Sequence, residues 1–227
     1  MPHFDLAAAP LRELNAALHA LPQDTNETHW EIANPQGKHA IAAGVRVPVT
    51  IEIKGNAGYY CAGMNQAATV IVEGNAGVGV AENMMSGAVR IKGDASQAAG
   101  ATGHGGLLVI DGNASGRCGI SMKGIDIVVK GSIGPMSAFM AQAGNLVVLG
   151  DAGEALGDSI YEARLFVRGA VKSLGADCIE KPMEDEDRAV LEAVLARAEI
   201  DLPASAFKFY GSARRLYHFH VDNADAY

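Results

Sequence analysis

The segment from Val70 to Gly112 reads VIVEGNAGVGVAENMMSGAVRIKGDASQAAGATGHGGLLVIDG and contains one motif three times, ending at Gly74, Gly93 and Gly112. These glycines are 19 residues apart, and the same interval continues in both directions. A fixed period of this length indicates a stacked repeat architecture. Residues 49–181 are therefore predicted to be seven copies of one unit, here numbered as coils one to seven by their glycines: Gly55, Gly74, Gly93, Gly112, Gly131, Gly150 and Gly169.

Each unit predicts one short strand. Four and two residues before every glycine stands Val, Ile or Leu, as at Ile51 and Ile53, and this alternation is typical of a strand with one face in a core. A βαβ unit needs about 30 residues, and the leucine-rich-repeat signature is absent. We predict an all-β fold, a parallel β-helix with coils ~4.8 Å apart, wound right-handed like nearly all parallel crossovers.

Other columns of the repeat support this register. Positions two and seven after the glycine are mostly small, as at Ala57 and Ala62, and suit tight corners and close backbone approach. The residue after the glycine is usually a turn former such as Asn56. The residue before it alternates in charge from Lys54 to Lys130, so stacked neighbours are expected to attract.

The outward strand position, three residues before the glycine, is apolar in the last four coils. Such a stripe is usually covered, here by the chain's own terminal segment or by a partner. Segment 207–227 carries six of the chain's thirteen aromatic residues, and interface hot spots favour aromatic residues and arginine. The predicted subunit-contact residues are Val109, Val128, Val147, Phe166, Phe209, Tyr210, Arg214, Arg215 and Tyr217.

The ends of the chain predict caps on the solenoid, which protect its terminal coils. Residues 5–21 predict an amphipathic helix that Pro22 ends, and residues 28–41 predict a hairpin around the turn Asn34–Gly37. Residues 184–198 predict a second helix, with four acidic residues at its start. The expected organisation is a cap at 1–48, the β-helix at 49–181, and a helix with a docking tail at 182–227.

Composition excludes several classes of function. The net charge of -8 argues against a nucleic-acid-binding protein, and no stretch has the ~18 apolar residues of a membrane span. The first residues lack the pattern of a signal peptide, so a cytoplasmic protein is expected.

No self-contained catalytic, cofactor or metal site is predicted. Cys61 and Cys118 share a repeat column and are interpreted as small core residues, about 14 Å apart and too far for a disulfide. His218 and His220 would lie on one face of a strand, but no zinc-like ligand spacing accompanies them. The glycine-rich stretch at residues 74–79 is not followed by the helical pattern that a phosphate loop requires.

The repeat glycines, with residues 82–87, 99–103 and 118–124, resemble the GXGXG β-helix of the glutamate synthase family. That domain also occurs as the β-helical component of formyltransferase/hydrolase complexes. The segments 4–15, 58–65 and 210–227 resemble the GlxC-type family, the stand-alone β-helical component of N-methylglutamate synthase.

This resemblance implies a cytoplasmic bacterial complex that converts methylamine and glutamate to N-methylglutamate and ammonia. Its partners would be an amidotransferase-like subunit and a subunit that carries FMN and an iron–sulfur cluster. The catalytic and flavin-binding residues of the family belong to those partners, so the resemblance implies a non-catalytic scaffold. The alternatives are the β-helical component of a formyltransferase/hydrolase complex and a free-standing structural or binding β-helix.

If this scaffold lines an ammonia path, polar loops are the expected place. The candidates are two corner segments that are expected to leave the rod, with Thr102, His104, Ser159, Tyr161 and Glu162.

Overall fold

The computed structural model describes residues 2–214. Within this range the strands form one sheet in the order β1-β2-β3-β4-β5-β6-β7-β8-β9-β11-β10. Two α-helices, α1 (Leu11–His19) and α2 (Asp185–Arg197), and one 3-10 helix (Ala204–Ala206) accompany it. The strands are β1 (His3–Asp5), β2 (His29–Ala33), β3 (Thr50–Ile53), β4 (Thr69–Val72), β5 (Ala88–Ile91), β6 (Leu107–Ile110), β7 (Lys123–Val129), β8 (Ala143–Val148), β9 (Arg164–Val167), β10 (Cys178–Lys181) and β11 (Lys208–Ser212).

Strands β3 to β9 confirm the predicted solenoid. Each pairs in parallel with the next, so that Ile51 aligns with Val70 and Val70 with Val89. The alternating aliphatic residues point into the rod, where Ile51 and Ile53 are fully buried. The chain is therefore a right-handed parallel β-helix with helical caps, as the 19-residue period predicts.

A second, shorter ladder runs along the rod at one of the small-residue columns. The residue two after each repeat glycine forms a parallel bridge to its equivalent in the next coil, from Ala57 to Val171. Beside it, the Asn56 side-chain oxygen accepts a hydrogen bond from the amide of Asn75 at 2.8 Å. Equivalent bonds recur in each later coil as far as the amide of Ala170.

This side-chain ladder explains the repeat glycines. A Cβ atom at Gly93 would collide with the side-chain oxygen of Asn75, and one at Gly112 with that of Asp94. At most of these positions glycine is therefore needed for close approach of a neighbouring coil rather than for a left-handed backbone. Gly55 is different, because its φ is +138°.

The predicted N-terminal hairpin is wrong. Strand β2 pairs in parallel with both β1 and β3, so residues 29–49 form a further coil. His29 aligns with Thr50, an offset of 21 residues, which hides this coil from a search at period 19. The predicted helix is correct but begins at Leu11, because Pro10 occupies its N-cap. Leu14 and Leu18 of α1 are buried against the end of the rod.

At the C-terminal end the chain turns back on itself. Strand β11 pairs antiparallel with β9 on one side and with β10 on the other. Helix α2 lies between β10 and β11 in sequence and packs on the outer side of the sheet. At its start the amide of Glu184 donates a hydrogen bond to the Asp187 carboxylate at 3.1 Å, which accounts for part of the acidic run.

Candidate functional site

The outer face of the sheet in coils four to seven is covered by the chain itself. Val128, Val147 and Phe166 are fully buried in a second apolar cluster, separate from the core inside the rod. Helix α2 contributes Leu191, Val194 and Leu195 to this cluster, and the following segment adds Phe207 and Phe209. The Phe209 and Phe166 rings stack with their centroids 5.2 Å apart. We call this covered surface the sheet face.

Ion pairs surround this apolar contact. Arg90 binds the carboxylate of Asp111 at 3.1 Å and that of Glu199 at 2.9 Å. Burial acts to raise the pKa of Asp111, but hydrogen bonds from Arg90 and Lys130 outweigh it and hold the pKa below its usual value. Arg197 of α2 binds Asp126 at 2.5 Å. Arg197 and Glu199 thus tie the end of α2 and the residue that follows it closely to coils five and three.

Six of the predicted subunit-contact residues are therefore internal contacts. The structure buries all of them within the chain, so they are not a surface for a partner. Arg214 is exposed and bonds Asp177 at 2.5 Å, whereas Arg215 and Tyr217 lie outside the described residues. The six are Val109, Val128, Val147, Phe166, Phe209 and Tyr210.

The two corner segments do not leave the rod as expected. Thr102 and Ser159 occupy the same repeat position, nine after the glycine, and both have φ between +53° and +56°. The Thr102 hydroxyl donates to the Asn83 side-chain oxygen at 2.7 Å, and the Ser159 hydroxyl to the Asp158 carboxylate at 2.8 Å. Three coils, or about 14 Å, separate the two segments. They are regular corners, and His104 is an exposed residue on one of them.

Tyr161 and Glu162 lie at a groove of about 680 Å³ between coil six, the start of α2 and the end of β11. The groove also exposes Arg164, but this guanidinium already binds Asp187 at 3.1 Å and Glu186 at 2.6 Å. Those pairs fix α2 on the rod. The groove is therefore explained by the docking of the helix.

The three cysteines do not form a reactive site. Cys61 and Cys118 are fully buried, and burial raises the pKa of each thiol to about 12. Burial raises the pKa of Cys178 to about 11. Since the thiolate is the nucleophile and the metal ligand, these side chains act as small core residues, as predicted for Cys61 and Cys118.

Within residues 2–214 no three His, Cys, Asp or Glu side chains are close enough to hold a metal ion. The predicted pair of His218 and His220 lies outside the described residues.

A different surface of the rod carries a regular but unusual backbone. In most coils the residues five, seven and nine after the glycine have positive φ, as at Tyr60, Ala62 and Met64. Backbone amides at positions five and nine donate hydrogen bonds to carbonyl groups of the following coil, as the Met140 amide does to the Asp158 carbonyl at 2.9 Å. The amides at position seven donate to carbonyl groups of the preceding coil instead. The small residues at position seven have their side chains in the core, whereas the side chains at positions five and nine face outward. We call positions four to eleven of coils one to six the turn face.

The turn face exposes most of the large apolar side chains on the surface. Among residues 2–214 seven such side chains are strongly exposed, and only Ile179 lies elsewhere. No described helix or strand covers this face. The six residues are Tyr59, Tyr60, Met64, Met85, Met140 and Tyr161, with exposed fractions from 45% to 53%.

Sequence reasoning identified Tyr161 but not the other five. For three of these five, Tyr60, Met64 and Met140, a signal was present in the repeat, because positions five and nine hold large apolar residues in coils one and five and mostly small or polar residues elsewhere. The strand positions and the small-residue positions of the repeat alone do not reveal this surface.

The structure thus defines a class: a right-handed parallel β-helix with one sheet face closed by its own C-terminal segment and a turn face that no helix or strand in residues 2–214 covers. The chain matches no protein-family model. It is 64% identical to Protein GlxC of Rhizobium meliloti (strain 1021), and the match covers 100% of both chains. The chain therefore belongs to the GlxC family.

The fold has a solved counterpart. A chain from the X-ray crystal structure of the formyltransferase/hydrolase complex (FhcABCD) of Methylorubrum extorquens, determined with methylofuran, matches with a TM-score of 0.68. The match covers 88% of this chain and 85% of that one, at 23% identity. It supports the β-helix fold. None of the helices described in residues 2–214 is long and apolar enough to cross a membrane.

Proposed function

We propose that this chain is the non-catalytic scaffold of an N-methylglutamate synthase. In this proposal the enzyme converts methylamine and glutamate to N-methylglutamate and releases ammonia. The scaffold holds together an amidotransferase-like subunit and a subunit that carries FMN and an iron–sulfur cluster. The observation that carries the proposal is the match to Protein GlxC, which covers both chains completely and agrees with the resemblance of the N- and C-terminal segments to that family.

The structure supports the non-catalytic part of the proposal through the kind of side chains it brings together. The thiols are buried with raised pKa values, and Arg164 in the groove beside Tyr161 is paired with Asp187 and Glu186. An iron–sulfur cluster needs several thiolates in one place, and Cys61 and Cys118 are three coils apart. We therefore assign both cofactors to the partner.

The fold suits the scaffold role because a β-helix presents long, flat faces at fixed spacing. Stacked coils are held by the sheet, by the small-residue ladder and by the side-chain ladder that begins at Asn56. Two rigid partners bound to such a rod would keep a constant separation.

Purification of the tagged chain from the cell in which it occurs tests this function. We expect an amidotransferase-like and a flavin-containing polypeptide to co-purify, with FMN, iron and N-methylglutamate formation from methylamine and glutamate. The chain purified alone is expected to have no flavin absorbance near 450 nm and no turnover. Stoichiometric flavin in the isolated chain would contradict the scaffold assignment.

The alternative is the β-helical component of a formyltransferase/hydrolase complex. The likeness to FhcABCD favours it only at the level of fold, because the identity is 23%. The same purification distinguishes the two functions. Formyl transfer activity in the co-purified complex would contradict our proposal and support the alternative.

A further inference from the structure

We propose that the turn face is the docking surface for a partner polypeptide of different sequence, which presents carboxylates between apolar side chains. The inference rests on the scaffold function proposed above and assigns the surface that performs it. The sheet face is closed by α2 and β11, so a partner must bind elsewhere on the rod.

The first observation is the concentration of exposed apolar side chains on one face. Six of the seven strongly exposed large apolar side chains in residues 2–214 lie on the turn face. They are tyrosines and methionines, which are enriched in protein interfaces. Methionine also adapts its shape to irregular partners. Four of them lie in coils one and two and two in coils five and six, so the face has two apolar ends on either side of coils three and four.

The second observation is that three of these six side chains stand where the backbone conformation disfavours a bulky residue. Tyr60, Met64 and Met140 have φ of +58°, +55° and +52°, a region that glycine and asparagine tolerate better than bulky residues. At equivalent positions coil two has Gly79 and Asn83. Since Tyr60, Met64 and Met140 are about half exposed, burial among residues 2–214 does not offset the strain. Their stabilising contacts are therefore expected in a complex.

The third observation is the size of the face. Five steps of ~4.8 Å separate coils one and six, so the face is about 24 Å long. Its eight residues across reach at most ~26 Å, at ~3.3 Å per extended residue. The resulting footprint is at most roughly 600 Å², smaller than the ~800 Å² that each partner buries in a standard protein–protein interface but of the same order. A small molecule would need a concave pocket instead.

The fourth observation is the charge at the centre of the face, which selects the partner. His104, Arg117 and Lys123 are exposed in coils three and four. No ion pair within 4 Å joins any of them to another residue in the described part of the chain. The acidic residues of the face lie towards its ends: Glu82 in coil two, and Glu154 and Asp158 in coil six. A carboxylate on the partner would form an ion pair with Arg117 or Lys123.

The same charges favour a heterologous partner over a second copy of this chain. A twofold axis through the middle of the face would place coil three opposite coil four of the other copy. Residues 97–104 of coil three contain no carboxylate, so Arg117 and Lys123 would have no acidic partner across such an interface. A heterologous polypeptide with carboxylates at this place would pair with them.

Binding measurements on the co-purified polypeptides test the inference. Wild-type chain and variants are titrated with the separated amidotransferase-like and flavin-containing polypeptides, and the thermal midpoint of each variant is recorded alone. Met140→Glu and Arg117→Glu are expected to raise the Kd for at least one of the two by tenfold or more. Both variants keep the wild-type thermal midpoint within about 3 °C, because the side chains are exposed.

Matched controls carry the same changes on other surfaces. Ile179→Glu replaces the exposed apolar residue outside the turn face, and Arg12→Glu reverses an exposed charge on α1. Both are expected to keep the wild-type Kd.

The outcomes separate this inference from the proposed function. If wild-type chain binds both polypeptides and the turn-face variants bind equally well, the inference is wrong while the scaffold function stands. If other polypeptides co-purify and Met140→Glu releases them, the turn face is the docking surface and the proposed function is wrong. If Met140→Glu instead dissociates a homodimer in sedimentation, a second copy occupies the face and our assignment of the partner fails.

Discussion

The sheet face and the turn face of this rod both carry apolar side chains, yet only those of the turn face are exposed to solvent. On the sheet face Val128 and Val147 are fully buried under α2, whereas on the turn face Met64 and Met140 are 53% and 50% exposed. Both faces follow the same 19-residue period. Apolar character at a repeat position therefore does not reveal a partner, because the rest of the chain can supply the cover.

The backbone distinguishes the two faces further. Sheet-face residues lie in extended strands, where aliphatic side chains are favourable and burial adds stability. Turn-face residues such as Met140 adopt left-handed φ, which costs about 1–2 kcal/mol for a bulky side chain. Substitutions should thus act on folding at one face and on association at the other.

The largest expected effect comes from a charge under α2. Val147→Glu places a carboxylate in a fully buried apolar cluster, at a cost of about 4 kcal/mol or more. We expect the variant to lose the packing of α2 or to fail to fold, measured by urea unfolding and circular dichroism.

Met140→Glu is the matched control at an exposed position, with an expected change within about 0.5 kcal/mol. A Val147→Glu protein with the wild-type unfolding midpoint would show that the sheet face is not closed in solution.

The second effect concerns the strand that completes the sheet. Phe209 is buried and stacks on Phe166, so Phe209→Ala should cost about 3–5 kcal/mol. Because β11 and α2 cover the same cluster, amide exchange should accelerate in both, while β3 to β5 stay protected. Uniform acceleration along the whole rod would indicate that the C-terminal segment and the solenoid unfold as one unit.

The solenoid could be predicted from sequence because its signal repeats. Seven copies of one strand pattern and one glycine column outweigh any local ambiguity, and the small column at Ala62 predicts the tight corner that the structure shows. The coil that ends at Val49 resembles a hairpin in sequence because its offset is 21 residues. Two residues more than the 19-residue period are enough to hide this coil from the repeat.

The functional surfaces were harder to predict for a physical reason. The stripe from Val109 to Phe166 is visible in the sequence, but its cover depends on where β11 inserts, and that strand pairs across about 40 residues with β9. Long-range antiparallel pairing leaves no periodic signal. The turn face, in contrast, leaves a sequence signal at positions five and nine. That signal can be interpreted only when it is known which side of the corner faces outward.

A third, smaller effect tests the ion pairs at the edge of the sheet face. Asp111→Asn removes charged hydrogen bonds to Arg90 and Lys130 and should cost about 2 kcal/mol near pH 7. The folded pKa of Asp111 is lowered, so its contribution is present above the unfolded carboxyl pKa of about 3.9 and is lost as pH falls through the folded value. The difference in unfolding free energy between wild type and variant should therefore shrink below pH 4.

Arg117 on the turn face provides the comparison. It has no ion pair among the described residues, so Arg117→Gln should change the unfolding free energy by less than about 0.5 kcal/mol at any pH from 4 to 8. A pH-dependent loss in Arg117→Gln would reveal a carboxylate partner within the chain and would weaken the argument for an acidic partner protein.

The smallest effect on stability is the most decisive test of the comparison between the two faces. In this variant the unfolding free energy and the partner affinity are expected to change in opposite directions. Met140→Asn places a polar side chain at an exposed position with φ +52°, and asparagine tolerates this conformation better than methionine. We expect the unfolding free energy to stay equal or to rise by about 1 kcal/mol, while partner binding weakens. A residue selected for folding would show both quantities falling together. If Met140→Asn destabilises the isolated chain by more than about 1 kcal/mol, Met140 contributes to the fold, and the distinction between a folding face and a binding face fails at that residue.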